Sequence, residues 1–222
     1  MVEAVLRSRR RRINERLAHA AARYAALGWP VCAGAQPRDR QSQQTGTGRA
    51  CSCDRIGCPA PGAHPLSPAW KIQATTDRVV IAHWWSERPQ ASVLLVTGRF
   101  FDVLDVPVTA GLRALRRWER SGTRPGPVAL SAQGRALFFV ATRAALADDD
   151  EWWSCHLDCV PEVLPAVTGL RWHCRDSYVV APPSRLSNGM TARWLIEPSS
   201  QPLPDALRLL EVLADACEEI AQ

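Results

Sequence analysis

Strand-like and helix-like patterns alternate along this 222-residue chain, which predicts an α/β or α+β fold: a mixed sheet flanked by helices. Two further observations support that class. Apolar residues make up 46% of the chain, enough for a real core, and no internal repeat divides it into stacked units. No apolar run approaches the roughly 18 residues of a membrane span. The basic N-terminus is followed by no apolar stretch of the secretory kind, so a cytoplasmic protein with no membrane contact is expected. Eight cysteines in that setting read as reduced thiols or metal ligands.

Residues 1–12 read as a disordered basic arm that includes Arg9, Arg10, Arg11 and Arg12. Ile13, Leu17, Ala20, Tyr24 and Leu27 then recur at helical spacing, and Gly28 with Pro30 stops the helix. From 33 to 68 the chain is loop-like and carries a cysteine cluster. Asp77 can cap a helix running to Trp85. Residues 92–97 and 101–106 read as buried strands. Thr109 can cap a helix with Leu112, Leu115 and Trp118, ended by Gly122. Residues 128–131 and 135–140 form a hairpin across 132–134. Residues 178–181 and 192–196 are strands, and 205–220 is an amphipathic helix with Ala206, Leu210, Leu213, Cys217 and Ile220 on one face. One domain over 13–200 is expected, with a knuckle at 49–66 and a C-terminal helix, 201–222, packed on the same domain.

Charge is concentrated rather than spread. Residues 1–30 hold seven Arg and two Glu, leaving 20 of the 27 basic and 20 of the 22 acidic residues for the rest of the chain. A basic groove over the folded body, the usual mark of a protein gripping a long stretch of nucleic acid, is therefore not announced. The Arg run reads either as a nucleic-acid arm held by phosphate attraction or as a solubilising tail. Arg113, Arg116, Arg117 and Arg120 form a helix stripe, read as a solvated face or as a phosphate contact. Among nine Trp, Trp84, Trp118 and Trp172 sit in apolar patterns and read as core. Trp152 and Trp153 beside an acidic run read as a protein contact or a base-stacking surface.

The segment CSCDRIGCPAPGAHP offers Cys51, Cys53, Cys58 and His64 within 14 residues. Three thiolates and an imidazole match the number and softness that tetrahedral zinc takes. Such a site is structural, because four protein ligands leave no position for water, and ion binding offsets the entropy of ordering a polar loop. The competing reading is a flexible loop with free thiols. A second set, Cys155, Cys159, His173 and Cys174, is weaker, since adjacent strand residues such as His173 and Cys174 point to opposite faces.

Several segments resemble the bifunctional DNA primase/polymerase (prim-pol) domains of the archaeo-eukaryotic primase superfamily. They are AARYAALGWPV, CSCDRIGCPAPGAHP, VVIAHWWSERPQASVLLVTG, FFDVLDV, GPVALSAQGRALFFV, and YVVAPPS followed by RWL. Their order, across most of 17–196, carries the resemblance. It implies an RRM-like sheet that, in active members, binds nucleotide and template and joins nucleotides with divalent metal. It also implies a zinc knuckle in the position found here.

Nucleotidyl transfer by paired magnesium or manganese needs converging carboxylates. The family's D-x-D strand supplies them, since residues two apart share a face. Here Asp105 matches the first acid and Pro107 stands at the second. Asp102, three residues away, faces the other way on a regular strand, and a β-bulge would be needed to realign it. The nucleotide-site His of the resemblance falls at Ala136, with Arg135 beside it as a phosphate contact or a solvated edge residue. The third motif, around 169–173, shows no carboxylate, and Asp158 and Asp176 do not fit it. Ser184 and Arg185, after Pro182 and Pro183, line the resemblance's nucleotide pocket or merely stop a strand.

The expected protein is thus a degenerate member that binds DNA or nucleotide without efficient transfer. One alternative is an active primase/polymerase using Asp102 and Asp105 with magnesium or manganese. Another is a protein-interaction module, its partner a helicase or other replication protein.

Overall fold

The computed structural model describes residues 2–38, 51–53, 55–142 and 169–221. The chain divides into two compact units, Met1–Val96 with Val180–Ala192, and Thr97–Val179 with Arg193–Gln222. The α+β class holds, but the strands form two antiparallel sheets where one mixed sheet was expected.

The first unit opens with helix α1, Val2–Ala26. Residues 2–12, expected as a disordered arm, are therefore its first turns; the side chains of Arg9, Arg10 and Arg11 lie outside those described. The buried face is Leu17, Ala21, Tyr24 and Ala25, while Ile13 is exposed, so the apolar stripe is rotated from the expected one. Gly28, at φ +80°, turns the chain out of the helix, and Trp29 stacks back on Tyr24 with ring centroids 6.2 Å apart. Strand β1, Val31–Ala33, follows, then the single-turn helix α2, Trp70–Gln73. Helix α3, Arg78–Glu87, is capped as the sequence predicts: the Asp77 carboxylate accepts from the backbone N–H of Val79 and Val80. Its buried indole is Trp85, not Trp84. Strand β2, Val93–Val96, pairs with β1 in register Val31↔Leu95, and is wholly buried. Strand β7, Tyr178–Val180, completes the order β1-β2-β7, and the unit's second stretch begins inside it.

The second unit is a five-stranded antiparallel sheet with helices on one face. Its strands are β3, Phe101–Pro107; β4, Val128–Leu130; β5, Arg135–Ala141; β6, Arg171–His173; and β8, Arg193–Ile196. Their order is β6-β3-β5-β4-β8. Helix α4, Val108–Ser121, starts directly after β3 with Pro107 at the N-cap, where Thr109 had been expected. The backbone carbonyl of Gly134 accepts from Val108 N–H instead of a capping side chain. Gly122, in the left-handed conformation, ends it. Helix α5, Ala206–Ala221, is capped by Asp205. Both helices cover one sheet face, where Leu104, Val106, Ala136, Phe138, Val140 and Trp172 pack against Ala114, Trp118, Leu209 and Leu213.

Candidate functional site

Strand alternation divides β3 into two sets. Leu104 and Val106 point to the helix-covered face, and Phe101, Val103, Asp105 and Pro107 point to the other. Cross-strand register brings Leu137 opposite Asp105 on β5, and Arg171 opposite it on β6. Pro107 pairs with Arg135, and Val103 with His173, so Arg135 and His173 flank the same carboxylate.

That carboxylate is 5% exposed and fully committed. Arg135 Nε donates to Asp105 Oδ1 at 2.6 Å, and His173 Nε2 lies 3.3 Å from Oδ2. Arg135 Nη2 also donates to the backbone carbonyls of Asp105, at 3.0 Å, and Gly169, at 2.6 Å. His173 Nδ1 meets Ser177 Oγ at 2.9 Å, which fixes the ring. A charge removed from water is tolerable only when paired and hydrogen-bonded, and this one is. Pro107 occupies the next position on the same face and is packed close to Gly169; its side chain offers no ligand atom.

Asp102 lies on the opposite face, 3% exposed, where Trp172 Nε1 donates to its Oδ2 at 3.2 Å. The two aspartates do not converge. Ala136 also points into the helix-covered core: a Cβ built on Gly111 of α4 would lie 2.5 Å from the Ala136 Cβ. This Gly–Ala contact lets α4 lie close on the sheet and leaves no room for an imidazole. The side chain of this strand that reaches Asp105 is Arg135, one position earlier.

His173 and Arg171 were missed as members of this cluster. The alternation along 171–173 gives their shared face, but only the pairing of β6 with β3 brings that face to Asp105. Of the weaker metal set, Cys155 and Cys159 lie outside the described residues, as do Trp152, Trp153 and Asp158. Cys174 is in the helix-covered core, across the sheet from His173. Asp176 is in a turn at φ +63°.

The Cys51, Cys53, Cys58 and His64 ligand atoms all lie within 4.8 Å of one another. The Cys51 and Cys58 sulfurs are 3.3 and 3.4 Å from His64 Nε2. His64 Nδ1 is 2.8 Å from the Pro65 carbonyl, an arrangement that orients Nε2 towards the sulfurs, as in metal-ligating histidines. Backbone bridges Pro37↔Cys51 and Gly34↔Pro65 tie both ends of the segment to the chain after β1. Gly62, at φ +81°, has its α-carbon so close to Pro37 that a side chain would clash. Burial raises the Cys53 thiol, but the Arg55 backbone N–H and the neighbouring sulfurs and imidazole outweigh it and hold it at about 7. Burial pushes Cys58 up to about 11. Three crowded sulfurs cannot all ionise without a cation among them. The donor set, its spacing and its oriented imidazole fit a metal ion.

Ser184 is fully buried; its hydroxyl accepts from Val93 N–H at 2.8 Å, clamping the segment after β7 to β2. Arg185 is exposed and bridges to Thr191 through its backbone. Arg12 is exposed on α1. Arg113 and Arg117 pair with Glu219 of α5, whereas Arg116 and Arg120 remain exposed on α4.

No helix of the described residues is long and apolar enough to cross a membrane. A search of curated proteins finds no match. The sequence model of one family, described as bifunctional DNA primase/polymerase, N-terminal, matches residues 21–206. The matched span includes the knuckle, Asp105, Arg135 and His173.

Proposed function

We propose that this chain, which belongs to the bifunctional DNA primase/polymerase N-terminal family, is a member that binds nucleic acid or nucleotide without efficient nucleotidyl transfer. The observation that carries the reading is the ion pair of Asp105 with Arg135, reinforced by His173. Paired magnesium or manganese needs several free carboxylate oxygens. Among the described residues one carboxylate stands on this face, both its oxygens are engaged, and its same-face neighbour is Pro107. These residues do not fit a catalytic metal pair, and no step through one is assigned. Loss of catalysis on a retained scaffold is a familiar separation of fold from function.

The Cys51, Cys53, Cys58 and His64 set would hold zinc as a structural ion, which adds folding energy and leaves no open position for chemistry. Binding to DNA, a helicase or another replication protein, and a cytoplasmic location, are parts of the same reading.

The rival, an active enzyme using Asp102 and Asp105, is disfavoured by their opposite faces and by the bond from Trp172 to Asp102. The test is incorporation of labelled nucleotide on primed and unprimed templates with magnesium or manganese. No extension above background is expected. Extension that disappears in Asp105→Ala would overturn the reading.

A further inference from the structure

Helices α4 and α5 lie side by side on one face of the five-stranded sheet, joined at their seam by Arg113 and Arg117 on Glu219. Their outer surfaces carry opposite charge. Four Arg and one Glu give α4 a net +3; four acids and one Arg give α5 a net −3. On α4, Arg116 and Arg120 are four apart and exposed, away from the buried Ala110, Ala114 and Trp118. On α5, Glu211, Asp215 and Glu218 are spaced four and three and exposed, away from the buried Leu209, Leu213 and Ala216. None of these five charged side chains has a hydrogen bond or ion pair among the described residues. The α4 arginines border an open groove of about 520 Å³, lined by Arg113, Arg116, Arg117, Glu119, Arg120 and Glu219.

We infer that this two-helix layer is the interface between two copies of the chain, a two-fold dimer in which α4 of each copy lies over α5 of the other. A two-fold axis along the seam exchanges the helices and sets each basic stripe against an acidic one, the self-complementarity that an isologous contact requires. Nucleic acid matches this layer poorly, since phosphates laid across it would meet as many carboxylates as guanidiniums. Each helix also exposes one leucine, Leu112 and Leu207, apolar surface that a second copy would cover. The helices are about 21 and 24 Å long, which gives a footprint the size of a weak, exchanging interface and not of an obligate one. The dimer is independent of what the Asp105 cluster binds.

The test is sedimentation velocity of the full chain over rising protein concentration, at low and at high salt. A monomer–dimer equilibrium is expected, with affinity falling roughly ten-fold as salt screens the stripes. Arg116→Glu/Arg120→Glu and Glu211→Arg/Asp215→Arg/Glu218→Arg are each expected to be monomeric, because each sets like charges against one another twice in the dimer. Mixed together, the two variants should associate again, since the acidic α4 of one then meets the basic α5 of the other. The exchanged residues are exposed, so both variants are expected to keep the wild-type melting temperature, which separates lost association from lost folding. A wild type that stays monomeric up to near-millimolar concentration, variants that still dimerise alone, or a mixture that does not associate would each overturn the inference. So would a monomeric wild type that binds duplex DNA or polyglutamate through Arg116 and Arg120, which would give this face another occupant.

Discussion

Arg135 reaches across from β5 to donate Nε–H to Asp105 on β3 at 2.6 Å, and the same guanidinium continues to the carbonyls of Asp105 and Gly169. Register sets this up, since Arg135 faces Pro107 and so lies diagonally one step from Asp105 on the same face. The pair is mostly buried, with side-chain exposures of 18% and 7%. On the reading proposed here, an aspartate held this way serves the fold.

Removing one partner of a buried ion pair strands the other. Asp105→Ala is expected to cost about 3 kcal/mol of unfolding free energy, read by urea denaturation. Asp105→Ala/Arg135→Met should recover most of that loss, because no charge is left unpaired. A neutral or stabilising Asp105→Ala would mean that the pair does not form.

Ala136 sits under Gly111, so the family's imidazole cannot be restored there. Ala136→His is expected to destabilise by about 3 kcal/mol through overpacking and burial of a polar ring. Its thermal midpoint should fall without any gain in nucleotide incorporation. A stable Ala136→His protein would show that α4 lies farther from the sheet than the Gly111–Ala136 contact requires.

The knuckle should carry about one zinc per chain in protein purified without chelator, by elemental analysis. Chelation is expected to lower the melting temperature by roughly 5 °C, a change on the order of 2 kcal/mol for a chain this size. Cys58→Ser should lose the metal and reproduce the chelated melting temperature. A metal-free wild type with an unaltered midpoint would dismiss the zinc reading.

Hydrogen bonding from Arg117, with Arg113 beside it, holds the Glu219 carboxyl below its ordinary value. A carboxyl lowered by folding stabilises at pH above its unfolded value, and that contribution is lost as pH falls through the folded value. The window therefore lies below about pH 4. Glu219→Gln should flatten the acid limb of the stability profile there. The pair is exposed, so the difference should be small and should shrink in high salt. An identical acid limb in both proteins would show that the ion pair adds nothing.

Local chemistry made much of this protein legible. The Asp77 cap, the Gly122 stop, the 128–140 hairpin and the Cys51–His64 ligand set are each specified by residues within 14 positions of one another. Strand parity even separated Asp102 from Asp105 before any sheet was known. Where the sequence reading failed, the deciding partner was distant. The buried stripe of α1 depends on what covers it, and the antiparallel direction of each sheet depends on which strands meet. The sequence alone determined that Asp105 has no acidic neighbour two residues on, because side-chain type and alternation are local. Only the tertiary structure decided what replaces that neighbour: Arg135 and His173 come from strands 30 and 68 residues away, and hydrogen bonding between strands, which no local pattern encodes, aligns them on one carboxylate.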